Sequence, residues 1–445
     1  MSAFPPVPVT LVIARSYPLD PGQTGPVLEV PRQLNLRGER TEVIAESPDE
    51  EEFIQLDPQG ALVHRVCPQR AYTRRFARPL LRHRQMAFAI RALEKAHELR
   101  LLWNRAIVRV EVAGDPSEAL LFGALPLRPE SASAPPVRWP LCRSVSLVCA
   151  TYNRVHELVA SIESFLAAQA EAKRDGIECE LVVVFQNDKT PERVLAERPD
   201  WASAPLRWVR SEPGLPRARN TGIRESHGDL IVFVDDDVLL DPGFVRGHLD
   251  AANAHSTSAG NAGRVRSRIL GERGSMNRAI GQLRLSAFVD THFDSLTKTQ
   301  IAPHTPIGAN MAFKRQALSA LLGEAWFDER LGGSAHREET TLCVELFRRG
   351  GHLVFARDAS LLHLEAESGG CDNRGAISAR KEIDHLALDY LFFRRFFRDL
   401  GPMAPLAPLA FLARDVRISQ QATLQRAYLN ARGYFEGLAL FRRYE

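Results

Sequence analysis

The chain predicts an α/β protein whose central part is a doubly wound, largely parallel sheet. Strand-like and helix-like segments alternate strictly from Val145 to Val234, which argues for βαβ units. The strands are short runs of branched apolar residues, as expected when both faces of a sheet are covered. The last of them, Leu230–Val234, runs straight into three aspartates, Asp235–Asp237. Strand ends of such sheets open into the crevice where ligands bind.

The N-terminal part, residues 1–130, reads as a small α/β accessory domain. Val9–Ala14 and Thr41–Ala45 look like strands, and Val27–Leu36 between them has helical spacing. Ala77–Leu102 is basic and amphipathic, and Ala106–Val112 is strand-like. Small residues and prolines in Ser131–Pro140 mark residues 131–142 as a linker. The central domain then spans 143–373. Its expected order is strand Val145–Ala150, helix His156–Ala172, strand Glu180–Phe185, helix Pro191–Ala196 and strand Leu206–Arg210. Helix Pro216–Ser226 and strand Leu230–Val234 follow, and the pattern loosens after Asp241. It resumes at Met311–Leu322, helix Glu338–Gly350 and strand Ala359–Leu364. Residues 374–445 read as amphipathic helices, with twelve Lys/Arg against seven Asp/Glu and several aromatic clusters.

A length of 445 residues exceeds one ordinary domain, and 45% hydrophobic with 25% charged residues is the balance of a globular protein. A net charge of +3 makes no case for nucleic acid. The six cysteines contain no CxxC pair, so neither a zinc site nor a disulfide framework is expected, and reduced thiols point to the cytoplasm. The N-terminus has no signal-peptide pattern. The longest apolar stretch, Ala404–Ala413, is half a membrane span and holds two prolines. The basic aromatic C-terminal helices leave two readings open: packing on the core, or peripheral contact with an anionic inner leaflet.

Three adjacent carboxylates repel one another unless a cation neutralises them, and a hard divalent ion shared with phosphate oxygens suits them. A solvated acidic turn is the plain alternative. The wider sequence discriminates. CATYNR (Cys149–Arg154), VVVFQND (Val182–Asp188), GLPRARNTGI (Gly214–Ile223) with GDLIVFVDDD (Gly228–Asp237), and HREETTLCVELFRRGG (His336–Gly351) occur in that order. Together they resemble the inverting, family 2 glycosyltransferases of the GT-A fold, over roughly Ser144 to Phe397. The resemblance implies a mixed, mostly parallel sheet, a nucleotide-diphosphate sugar donor and Mn²⁺ or Mg²⁺. It implies a glycan, lipid-linked or protein acceptor, as in bacterial surface polysaccharide synthesis.

On this resemblance, Thr151, Asn153 and Arg154 line the nucleotide, although turn chemistry alone accounts for the first two. Gln186 stands where the family usually has a base-reading aspartate, and Asp188 lies two residues on. Arg217 and Arg219 open a helix facing the diphosphate, or form its solvated face; Asn220 is structural. Asp235 lies near ribose and metal, Asp237 is the principal metal ligand, and Asp236 faces either way. His363 is a further metal ligand or a core histidine. Asn310 contacts the sugar or caps the helix that follows. Glu339 stands at the catalytic base, usually an aspartate, with Glu338 as its partner; the alternative is complementing the helix dipole. Separately, Pro21–Ile44 faintly resembles the start of a GT-B half-domain. A nucleotidyltransferase is disfavoured because the Glu338-Glu339 helix and the arginine loop have no role there. A catalytically impaired glycan- or nucleotide-binding scaffold is the alternative that Gln186 and Glu339 keep open.

Overall fold

The computed structural model describes residues 5–17, 30–31, 33–34, 37–47, 52–57, 60–70, 84–113, 136–187, 189–267, 280–283, 289, 293, 302–366, 379–396 and 424–444. Asp188, most of Val27–Leu36, residues 131–135 of the linker and Ala404–Ala413 lie outside them.

The N-terminal part holds strands β1 (Val7–Ile13), β2 (Thr41–Glu46), β3 (Phe53–Leu56) and β4 (Leu62–Val66), then helix α1 (Arg84–Leu101) and β5 (Arg105–Val112). They form a five-stranded sheet in the order β3-β4-β2-β1-β5, parallel except for the β3–β4 pair. The sequence reading omitted β3 and β4. Each is short and fully buried, so neither shows the polar–apolar alternation that marks a half-exposed strand.

The central part follows as β6 (Ser144–Thr151), α2 (Val155–Arg174), β7 (Glu178–Phe185), α3 (Thr190–Glu197), β8 (Leu206–Arg210), α4 (Leu215–Glu225) and β9 (Leu230–Val234). After the aspartates come β10 (Val238–Leu240), α5 (Phe244–Ala254), β11 (Gly260–Ser267), β12 (Asn310–Lys314), α6 (Arg315–Leu322), α7 (Glu338–Arg348) and β13 (Leu353–His363). Met311–Leu322, expected as one segment, is a strand that turns into a helix at Arg315. The eight strands order as β10-β13-β11-β12-β9-β6-β7-β8. β9, β6, β7 and β8 are mutually parallel, as are β11 and β13. Antiparallel pairs at β12–β9, β11–β12 and β10–β13 make the sheet mixed.

Side-chain alternation divides this sheet between two cores. Leu230, Val232 and Val234 of β9 pack with Leu158, Ile162 and Phe165 of α2 on one face. Ile231 and Phe233 pack with Ala218 and Ile223 of α4 and Leu342 of α7 on the other. Helix α2 ends at Arg174, and the φ of 73° at Gly176 lets Ile177 N–H reach back to the Ala172 carbonyl at 2.8 Å.

Helices α8 (Ala379–Phe396) and α9 (Leu424–Tyr444) complete the chain. A third core joins all parts: Val9 and Ile107 of the N-terminal sheet, Phe88 of α1, Phe347 of α7 and Leu386 and Tyr390 of α8 share one cluster. Trp103 meets Phe347 edge-on at 4.8 Å, and truncating a buried aromatic of this kind costs about 3–5 kcal/mol. Among the described residues, no helix is long and apolar enough to cross a membrane.

Candidate active site

β9 is buried along its whole length and delivers the acidic triplet at its carboxyl end. β10 then pairs antiparallel with β13, setting Val238 opposite His363 and so bringing His363 beside Asp237. The Asp237 carbonyl accepts from Leu364 N–H at 2.8 Å, which fixes that register. His363 Nε2 lies 3.1 Å from Asp237 Oδ1 and 3.8 Å from Asp235 Oδ2. Ligand atoms from Asp235, Asp237 and His363 all fall within 4.8 Å of one another. Two carboxylates and an imidazole so gathered suit a divalent ion of the Mn²⁺ or Mg²⁺ kind.

The three aspartates differ sharply. Burial tends to raise the Asp237 carboxyl, but the hydrogen bond and charge of His363, the Ala366 amide at 2.9 Å and Arg154 hold it down at about 2. Asp236 turns inward. Its carboxylate accepts from Thr151 Oγ1 at 2.7 Å and Arg154 Nη1 at 3.0 Å, and its carbonyl accepts from Ser161 Oγ. Burial pushes Asp236 up to about 7 against the pull of Arg154 and Thr151. Asp235 is the most open of the three, one-third exposed.

Several residues expected to face a donor have hydrogen-bond partners within the protein. Thr151 is buried on Asp236, and Arg154 is paired with Asp236 and with Asp237 at 3.4 Å. Both therefore act on the acidic triplet through buried carboxylates. Gln186 is buried: its Nε2 donates to the Thr151 carbonyl at 3.2 Å, and its Oε1 accepts from Gly214 N–H at 2.7 Å. It thereby ties the end of β7 to the glycine that opens α4. Asn310 is wholly buried in β12, with Oδ1 on His248 Nε2 and Nδ2 on the Arg264 and Ala359 carbonyls. Its side chain is turned into the sheet, and the residue preceding α6 is Lys314.

Asn153 and Arg217 remain outward. Asn153 adopts a left-handed φ of 58° and accepts from Asn187 Nδ2 at 2.6 Å; Tyr152 beside it is one of the exposed large apolar side chains. Arg217, exposed on the first turn of α4, reaches Glu329 at 3.3 Å. Asn220 is structural, clasping the Phe327 carbonyl and amide at 2.8 and 3.0 Å.

Arg219 is buried, so its place on α4 is no solvated face. Nη2 donates to the Gly308 carbonyl at 2.9 Å and to Asp235 Oδ1 at 3.2 Å, while Nη1 is ion-paired with Glu338. One guanidinium thus connects the acidic triplet to the first turn of α7. Glu338 is 1% exposed, while Glu339 is half-buried beside it. Arg337, just ahead of them, has a left-handed φ of 67° and turns the chain into the helix. The sequence reading missed the Asp235–Arg219–Glu338 chain. The available signal was an acidic pair and a basic loop within one predicted crevice.

The glycosyl transferase family 2 model matches residues 146–322. An uncharacterized glycosyltransferase of Haemophilus influenzae is 33% identical over 100 residues, 22% of this chain and 31% of that protein. The uncharacterized glycosyltransferase YwdF of Bacillus subtilis is 29% identical over 101 residues, 23% of this chain and 35% of that one. The chain therefore spans about a third of the curated relatives' length. The crystal structure of GalNAc-T7 with UDP, GalNAc and Mn²⁺ aligns at 15% identity and TM-score 0.42, over 68% of this chain and 56% of that one. The mannosyltransferase PcManGT from Pyrobaculum calidifontis, in complex with GDP-Man and Mn²⁺, aligns at 20% identity and TM-score 0.38, over 69% and 84%. Residues 146–322 of the central unit thus carry the match to glycosyl transferase family 2, on a mixed α/β sheet.

Proposed function

We propose that the protein is a metal-dependent, inverting glycosyltransferase that moves a sugar from a nucleotide-diphosphate donor to a hydroxyl of a glycan, lipid-linked or protein acceptor. The observation that carries this reading is the convergence of Asp235, Asp237 and His363 at one sheet edge. Asp237 and His363 are 126 positions apart in sequence. They fit a divalent ion, which when bound would supply charge neutralisation for the departing diphosphate. Exposed Arg217 and the amides opening α4 follow the carboxyl end of β8, which runs parallel to β9 in the same sheet, and would bind phosphate oxygens. Arg219 sets the orientation of Asp235 and Glu338 together.

Glu339 acts as the base. Its carboxylate takes the proton from the acceptor hydroxyl while that oxygen bonds to the anomeric carbon, and the bond from that carbon to the diphosphate oxygen breaks on the opposite face. Its half-buried setting leaves the group accessible. The longer glutamate arm places the base one methylene further from the backbone than aspartate would. A bacterial surface polysaccharide is the acceptor that the resemblance of the sequence motifs suggests.

The test is Glu339→Gln. Transfer from a nucleotide sugar, chosen by a thermal-shift screen of UDP, GDP, dTDP and CDP sugars with Mn²⁺, should fall by about 10²–10⁴. Nucleotide affinity should persist. Unchanged turnover would remove Glu339 from the role.

A further inference from the structure

Helix α7 carries the proposed base on its first turn, and both of its ends are gripped by parts of the chain outside residues 146–322. At its far end Arg105 Nη1 donates to the Phe347 carbonyl at 2.9 Å, and Arg348 Nε donates to the Leu102 carbonyl at 2.8 Å. Those contacts dock the N-terminal sheet on the helix C-terminus. At its near end one face of α8 presents His385, Asp389 and Phe392, spaced i, i+4 and i+7, to the two residues that precede Glu338. His385 stacks on His336 with ring centroids 4.8 Å apart and planes 16° from parallel. Asp389 accepts from His336 Nε2 at 3.2 Å and from Arg337 Nε. Phe392 lies under the Arg337 guanidinium at 5.1 Å. One turn further along α8, Arg395 pairs with Asp328 at 2.7 Å and so holds the same loop at a second point.

Arg337 needs holding. A non-glycine residue in the left-handed region is disfavoured by its own Cβ. This one also supplies the carbonyl that starts α7, accepting from Thr341 N–H at 2.9 Å and Thr341 Oγ1 at 2.8 Å. Its side chain is nearly buried between Asp389 and Phe392, so the guanidinium cannot swing away without abandoning both.

We propose that Asp389 is a positioning residue for catalysis. By anchoring Arg337 in its left-handed conformation, it fixes the first turn of α7 and the direction of the Glu339 carboxylate. Helix α8 is then part of the frame of the active site. The catalytic part of this inference rests on Glu339 as base; the mechanical part does not.

The experiment compares the full chain with Asp389→Asn and Asp389→Glu. Backbone hydrogen exchange over residues 335–345 should accelerate in Asp389→Asn, with exchange in β6 and β9 unchanged; equal protection in α7 would overturn the proposal whatever the activity. With the nucleotide sugar found by the thermal-shift screen, kcat should fall on the order of ten- to a hundredfold, as expected when a reacting group is misplaced by about an ångström. The donor KM should stay within about twofold of the parent, and Asp389→Glu should recover part of kcat. Parent-like kcat in Asp389→Asn, or a donor KM that rises in step with the loss of kcat, would overturn the positioning role. Accelerated exchange in Asp389→Asn, with a parent protein that transfers no sugar, would sustain the brace and reject the proposed transferase.

Discussion

Arg219→Met tests the buried link between the acidic triplet and the base helix. The guanidinium is 4% exposed and Glu338 is 1% exposed, so neither charge is screened by water. Removing the cation strands the Glu338 carboxylate in a desolvated site and unseats Asp235. Breaking one partner of such a pair costs about 3–5 kcal/mol. At about 2–4 °C per kcal/mol for a domain of this size, the midpoint of thermal unfolding should fall by roughly 6–20 °C. Pairing the change with Glu338→Leu removes the stranded charge as well, and replacing both partners of a buried pair by apolar groups is often near neutral. The double variant should therefore recover more than half of the loss, giving a coupling of about 2–3 kcal/mol in a thermodynamic cycle. Denaturant unfolding of the four proteins measures it. A loss below about 1 kcal/mol for Arg219→Met, or additive single effects, would refute the claim that this guanidinium holds the two carboxylates.

Acid should destabilise the protein through neutral buried histidines. His352 is held down to about 3 by burial and by the charge of Arg40, and His248 to about 4 by burial against its two asparagine partners. Depressed folded values mean that the unfolded chain takes up the protons, so stability is complete above about pH 6.5 and is lost as pH falls toward 4. Each group should cost about 2 kcal/mol between pH 7 and pH 5. In His352→Leu the measured proton uptake on unfolding at pH 5 should drop by about one; an unchanged slope would contradict the assignment. Gln186→Glu removes the donor to the Thr151 carbonyl and buries a charge, so stability should fall by about 1–3 kcal/mol and nucleoside diphosphate affinity should weaken. Tighter binding in that variant would show that the position reads the base directly.

The strands and helices from Ser144 to Val234 were legible because each is a short, strongly patterned run bounded by turn residues. Asp235, Asp237 and His363 were legible as candidates through the order of the motifs. Their meeting was expected from the resemblance alone, because it depends on β10 pairing with β13 in a register that no local signal encodes. The direction of Asp236 illustrates the same limit: three adjacent aspartates look alike until Thr151 and Arg154 claim one of them. Asn310 shows the converse. Its side chain is consumed by His248 and two carbonyls contributed by β11 and β13, partners visible only once the sheet is assembled. The contact between Asp389 and Arg337 spans 52 positions and joins a C-terminal helix to a loop, so periodicity could not reveal it.

The account rests on Asp235, Asp237 and His363 binding nucleoside diphosphate through a divalent ion. Calorimetric titration of UDP, GDP, dTDP and CDP into the protein, with Mn²⁺ and then with EDTA, tests it most directly. At least one of these nucleotides should bind with Mn²⁺ and lose that binding in EDTA, and Asp237→Ala should not bind it under either condition. Equal affinity with Mn²⁺ and EDTA, or Mn²⁺-dependent binding that survives Asp237→Ala, would contradict the account.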